Sequence, residues 1–278
     1  MTSLQARLAS VAEVWPRRRL RRDRWVILTG LGVITAAAWM YLVVEARPMS
    51  TGMSERSIAH AMQSMVHVQP WTAAELVPRL LMWAVMMVAM MVPTAAPVTL
   101  VYAAVARKAA REDHPVAPTF VFVGGYLAIW VLFSVAATAA QSGLDELALL
   151  SPAMVSASPV LGGGLLIGAG VYELTPYKRA CLAHCRAPAH FISHKWRGGF
   201  AGVFRMGLEL GTYCLGCCWI LMGLLFVGGL MNLFWIAAIA VFILLEKTMP
   251  LAEKGGRVVG AAMIVVGLLS MAGVAILD

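Results

Sequence analysis

The residues Tyr213-Cys214-Leu215-Gly216-Cys217-Cys218-Trp219 place three thiols within one short, otherwise apolar stretch. On a helix, Cys214, Cys217 and Cys218 stand at i, i+3 and i+4 and share a face. Three neighbouring sulfurs suit a soft metal ion or thiol redox chemistry. Buried cysteine also packs as a small apolar residue, so packing alone is the alternative.

Two further groups carry soft ligands. In LMWAVMMVAMMVPTAAP, Met82, Met86 and Met90 recur every four residues with Met87 and Met91 beside them, followed by Pro93 and Pro97. The stripe reads either as adaptable packing or as the lining of a proline-broken helix, where freed carbonyls and thioethers face a ligand. In YELTPYKRACLAHCRAPAHFISHKWRGG, Cys181, His184 and Cys185 have i, i+3, i+4 spacing, and His190 and His194 are four apart. Such a set could complete a tetrahedral zinc site or hand over copper. Lys178, Arg179 and Arg186 would favour thiolates there. The spacing matches no standard zinc finger, and a basic loop with incidental Cys and His is the other reading.

The elements that must position these groups are membrane helices. The 278 residues are 60% hydrophobic and 13% charged, too apolar for a soluble domain. Apolar runs near 26–44, 78–105, 118–140, 156–174, 203–230, 232–249 and 258–277 predict an all-α, polytopic bundle of seven spans. Residues 1–25 form a basic N-terminal arm and 26–278 a single membrane domain. The alternating segments of an outer-membrane barrel are absent. Arg17, Arg18, Arg19, Arg21, Arg22 and Arg24 precede a first run longer than a signal-peptide core, which reads as a retained span.

Cations set the expected orientation. Arg107, Lys108, Arg111, Lys178, Arg179, Arg186, Lys195, Arg197, Arg205, Lys247, Lys254 and Arg257 fall with the Arg arm on one side. Only Arg47, Arg56 and Arg79 fall on the other. That split predicts N-terminus in and C-terminus out, in a cytoplasmic (inner) membrane. The net charge of +8 is thereby a topology signal, not a sign of nucleic-acid binding. No Cys lies in an external loop, which argues against a structural disulfide.

The expected external loop, 45–77, holds Met49, Met53, His60, Met62, Met65 and His67. It reads as a copper-catching loop or, over 56–68, as an interfacial helix. Glycines 162, 163, 164, 168 and 170 in the fourth span signal close helix packing. Cys217 lies twelve positions after Arg205, roughly 18 Å along a helix, which brings it level with Met90 and Met91. Glu173, Glu209 and Glu246 fall near the internal span ends as candidate ion-pathway acids, with Arg205 and Glu209 placed to pair.

The segments WAVMMVAMMVPTAAP, YELTPYKRACLAHCRAP and GLELGTYCLGCCWILMGLLFVGGLMNLFWIAAIAVFILLEKTMP resemble a largely bacterial domain-of-unknown-function family of predicted metal-binding integral membrane proteins. The resemblance implies metal binding, on the Met, Cys and His positions of those segments, and brings no reaction with it. Ligand softness points to Cu(I), with zinc an option at the Cys/His loop.

Three functions fit. The leading one is copper handling, as transport or as delivery to a metalloprotein or from a metallochaperone. The others are a non-catalytic assembly factor or scaffold, and a membrane thiol oxidoreductase using the Cys214/Cys217 pair. No His-Glu-x-x-His motif and no phosphate-binding Gly-x-x-x-x-Gly-Lys loop occurs, which weighs against a zinc hydrolase and against ATP-driven transport.

Overall fold

A computed structural model describes residues 17–50, 73–112, 115–147, 159–249 and 252–272. The expectations for the loop bearing Met53, His60, Met62, Met65 and His67, and for His114, lie outside the described residues. Among the described residues every regular element is helical. In chain order these are α1 (Arg17–Ser50), α2 (Ala73–Arg111), α3 (Thr119–Glu146), α4 (Pro159–Leu174) and α5 (Pro176–Arg186). There follow α6 (Pro188–Lys195), α7 (Gly199–Gly223), α8 (Leu225–Gly228), α9 (Leu233–Thr248) and α10 (Ala252–Met271).

Four segments are long and apolar enough to cross a membrane: Arg24–Ala46, Leu76–Ala110, Thr119–Glu146 and Gly199–Gly228. Helices Pro159–Leu174 and Gly255–Met271 are apolar but shorter. At 1.5 Å per residue, the 16 residues of α9 reach about 24 Å, less than a typical hydrocarbon core. Among the described residues, length and composition thus single out four candidate spans, where the apolar runs predicted seven.

The helices are arranged as a chain of neighbours. Helix α2 packs on α1 and α3, α3 on α7, α7 on α5, and α4 on α10. Helix α9 touches α2, α5, α7 and α10, which places it where the groups meet. Gly125 and Gly207 let α3 and α7 come together, since a Cβ on either would lie 2.2 Å from a carbonyl oxygen of the other helix. Two of the five glycines marked in the fourth span, Gly163 and Gly170, do the same against Gly267 and Gly260 of α10. Gly164 and Gly168 face open space.

Pro93 and Pro97 do not interrupt α2, which stays helical from Ala73 to Arg111. Polar side chains serve carbonyls around the prolines: Thr94 Oγ1 donates to Met91 O (2.9 Å) and Thr99 Oγ1 to Ala95 O (2.9 Å). The neighbouring helix α3 adds Tyr126 Oη, which donates to Met91 O at 3.2 Å. The carbonyls that the two prolines leave without an amide partner are those of Ala89 and Pro93, one turn earlier. Where a broken helix was expected, α2 is continuous.

At the opposite end of the site, Thr175 caps α5 by accepting from Lys178 N (3.3 Å), with Pro176 at the first helical position. The turn lets the chain leave α4 and fold α5 back along α7. Gly199 opens α7 with φ +73°, a conformation glycine adopts without strain, and its N–H donates to Pro115 O at 3.0 Å.

Candidate metal centre

The five cysteines gather where α5 lies against α7. Cys214, Cys217 and Cys218 are buried on α7, and all five thiols are free. The i, i+3, i+4 spacing does what a helix requires and turns them to one side. Cys217 Sγ and Cys218 Sγ donate back to Cys214 O, at 3.1 and 2.9 Å. From α5, half-buried Cys185 packs against the core that holds Cys214, Cys217 and Cys218. Cys181 sits over Gly216, whose missing side chain makes room for it: a Cβ there would stand 2.8 Å from Cys181 Sγ. Tyr172 Oη of α4 donates to Gly216 O from the other side.

A lysine reaches the same sulfur. Lys247 Nζ of α9 donates to Cys214 Sγ at 2.7 Å and to Thr94 Oγ1 at 3.2 Å. Tyr126 Oη lies 3.0 Å from Cys214 Sγ, so one hydroxyl separates that sulfur from Met91 O. The level match expected between the Met stripe and the Cys face therefore holds for the backbone of Met91. Met86, Met87, Met90 and Met91 are all buried. Helices α2 and α7 are joined through α3 and α9, by Tyr126, Thr94 and Lys247.

The Cys/His segment divides in two. Cys181 and Cys185 turn toward α7. His184 meets the same helix at a different residue, stacking on Tyr213 (ring centroids 4.1 Å apart, 4° between planes), with Nδ1 at 2.9 Å from Ala180 O. His190 and His194 stack on each other at 4.0 Å on the exposed side of α6, and His194 Nδ1 lies 3.0 Å from His190 O. The break at Ala187–Pro188 separates the two helices, so the five residues do not converge on one tetrahedral centre. Among the described residues no three His, Cys, Asp or Glu side chains are grouped around a point that could hold a metal ion. The physical reason is visible at the thiols: two are engaged by Cys214 O, and Cys214 Sγ by Lys247.

The candidate ion-pathway acids are each paired with cations. Lys178 is buried between Glu173 and Glu246, 2.7 Å from Glu246 Oε2 and in direct contact with Glu173 Oε2. Arg186 Nε donates to Glu246 O at 2.6 Å. Glu209 meets Arg197 at 2.8 Å, Lys195 at 3.6 Å and Arg205 at 3.8 Å. The expected Arg205 pair is thus the longest of three. Lys178 and Lys247, read from sequence as loop cations that set orientation, are both inside the protein.

Lys247, Tyr126, Thr94 and Lys178 are the site residues that pattern reading missed. One signal was present: Glu246 and Lys247 are adjacent, and successive helical residues point about 100° apart. Two charges ending an apolar helix can therefore serve two different neighbours, here α5 and α7.

Hydrogen bonding to Cys214 and Cys217, with burial added, holds the Cys185 thiol well above the usual cysteine range, and burial raises Cys181. A raised value keeps the neutral thiol through neutral pH, and only the thiolate alkylates. In protein purified without metal, iodoacetamide should label Cys185 more slowly than an ordinary exposed cysteine at pH 8. The rate should climb only at higher pH; equal rates at pH 8 would contradict this geometry.

Residues 80–270 match a family model, PpoB2, described as a copper chaperone. No curated protein and no solved structure matches the chain.

Proposed function

The chain belongs to the PpoB2 copper-chaperone family, and on that premise we propose that it is a multi-pass membrane protein that binds Cu(I) through thiols where α5 covers α7 and passes it to a partner metalloprotein. The observation that carries this reading is the packing of α5 on α7, which seats Cys181 over Gly216, between Cys214 and Cys217, and sets Cys185 against the same core, residues about thirty positions apart in the sequence. Cu(I) prefers soft thiolate and thioether donors and accepts two or three of them, so it does not need a closed four-ligand cage.

In this reading Cys185, Cys214 and Cys217 form the binding centre, with Cys181 and Cys218 as flanking sulfurs available during transfer. Met86, Met87, Met90 and Met91 supply thioethers at the same depth on α2. His184, His190 and His194 form a separate imidazole surface beside the centre, suited to copper or zinc. Copper arrival draws the Cys217 thiol away from Cys214 O, a change of one side-chain rotamer. Helices α4, α9 and α10 complete a domain of seven crossings in the cytoplasmic membrane, with the N-terminus inside. Glu173, Glu209 and Glu246, paired with their cations, hold that inner end together.

Elemental analysis of detergent-purified protein tests the reading. Wild type should retain about one copper per chain after exposure to Cu(I) and removal of excess. The Cys214→Ser/Cys217→Ser/Cys218→Ser variant should retain almost none. Equal copper in the two proteins would reject the thiol centre. No copper in wild type, together with a mixed disulfide trapped on a partner, would favour the thiol oxidoreductase.

A further inference from the structure

Lys247 is out of place beside a cation-binding centre. Its ammonium is 8% exposed, carries three donors and no acceptor, and points one of them at the sulfur of Cys214. A fixed positive charge within contact of a ligand sulfur repels any incoming cation, and in an apolar interior that repulsion is poorly screened. The carboxylates nearby do not relieve it. Glu246, the adjacent residue, points to α5 and is occupied by Lys178, as is Glu173. What faces Lys247 is Cys214, the Thr94 hydroxyl and, through Cys214, the Tyr126 hydroxyl.

We infer that Lys247 sets the charge selectivity of the sulfur centre, admitting a monovalent soft cation and disfavouring a divalent one. The inference rests on the thiol centre proposed above and adds a determinant that softness alone does not supply, because zinc and cadmium also bind thiolates well. The charges decide the direction. Repulsion from a fixed ammonium scales with the charge of the incoming ion, so it costs a divalent ion about twice what it costs a monovalent one at the same place. Removing the ammonium therefore relieves the divalent ion more, whatever number of sulfurs binds it. Thr94 fixes the ammonium in place by accepting its second hydrogen bond, so the charge cannot swing away as the ion enters.

Lys247→Met keeps the length of the side chain and removes the charge. Lys247→Gln serves as the second neutral variant, and Lys247→Arg keeps the charge. The full-length protein in detergent, reduced, is titrated with Ag(I) as a redox-inert monovalent probe and with Cd(II), each against a competing chelator. The ratio of the two affinities is the readout, since partial misfolding lowers both together. Wild type and Lys247→Arg should favour Ag(I). In Lys247→Met and Lys247→Gln the ratio should move toward Cd(II) by at least about tenfold. An unchanged ratio in the neutral variants, whether both affinities fall or neither does, overturns the role of Lys247 and leaves the thiol centre standing. Wild-type Ag(I) binding that survives the triple Cys→Ser replacement would instead remove the centre itself.

Discussion

Cys214→Ala is expected to affect both copper binding and the fold. Cys214 is the sulfur on which the other groups converge: Lys247 and Tyr126 both reach it, and its carbonyl holds the two remaining α7 thiols. Changes in the outer shell of a metal site typically weaken binding roughly 10–100-fold, and losing the shared ligand should exceed that. The fold suffers because Lys247 then keeps a buried positive charge with only Thr94 as a direct partner. Removing one member of a buried pair costs about 3–5 kcal/mol, and Thr94 should hold the loss near the lower figure. The two effects separate in the double variant Cys214→Ala/Lys247→Met, which should regain most of the thermal stability and none of the copper affinity. Thermal unfolding in detergent and competition with a Cu(I) chelator measure the two. A single variant with unchanged Tm would mean that Lys247 does not depend on this sulfur.

Lys178→Met should destabilise the protein most of all. Its ammonium is the only cation lying between Glu173 and Glu246 among the contacts described, and all three side chains are buried. Its removal leaves two carboxylates facing each other in an apolar interior, at a cost of about 3–5 kcal/mol for the broken pairs before any relief by protonation. The loss should be largest at neutral and higher pH, where both acids would otherwise ionise, and smaller in acid. The triple variant Lys178→Met/Glu173→Gln/Glu246→Gln should recover much of it. The site should also loosen, because Lys178 starts α5, the helix that presents Cys181 and Cys185 to α7. A wild-type melting curve for Lys178→Met would show that this cluster is not what seats α5.

The helices themselves were legible because hydrocarbon imposes long apolar runs, and each predicted run overlaps an observed helix. Their number as membrane crossings was less so, since α4 and α9 are apolar up to their charged ends yet only 16 residues long. Composition cannot distinguish a short crossing from a buried core helix. The sulfur face of α7 was readable from spacing alone, and the link to α2 falls at Cys214, where Tyr126 bridges to Met91 O. What spacing could not supply was the approach of α5. The Cys181/Cys185 and Cys214/Cys218 pairs share an i, i+4 period, but nothing in a one-dimensional pattern says that the two faces meet. Lys247 was obscured for a different reason. A Glu-Lys pair at the end of an apolar run looks like a helix leaving the membrane, so Lys247 was read as a loop cation while Glu246 was read as an ion-pathway acid. The structure instead places each against a neighbour inside the bundle. His184 and the His190/His194 pair were read as possible ligands by type; His184 shares α5 with two of the thiols but stacks on Tyr213, and the proline between α5 and α6 carries His190 and His194 away.

The account stands or falls on where copper sits. X-ray absorption at the copper edge, on wild-type protein loaded with Cu(I) in detergent, reads oxidation state and ligand type together. A Cu(I) edge with a first shell of sulfur alone, two or three atoms, is the predicted result, and the Cys185→Ser variant should lose a sulfur from it. A first shell dominated by nitrogen or oxygen, or one that Cys185→Ser leaves unchanged, would contradict the centre between α5 and α7.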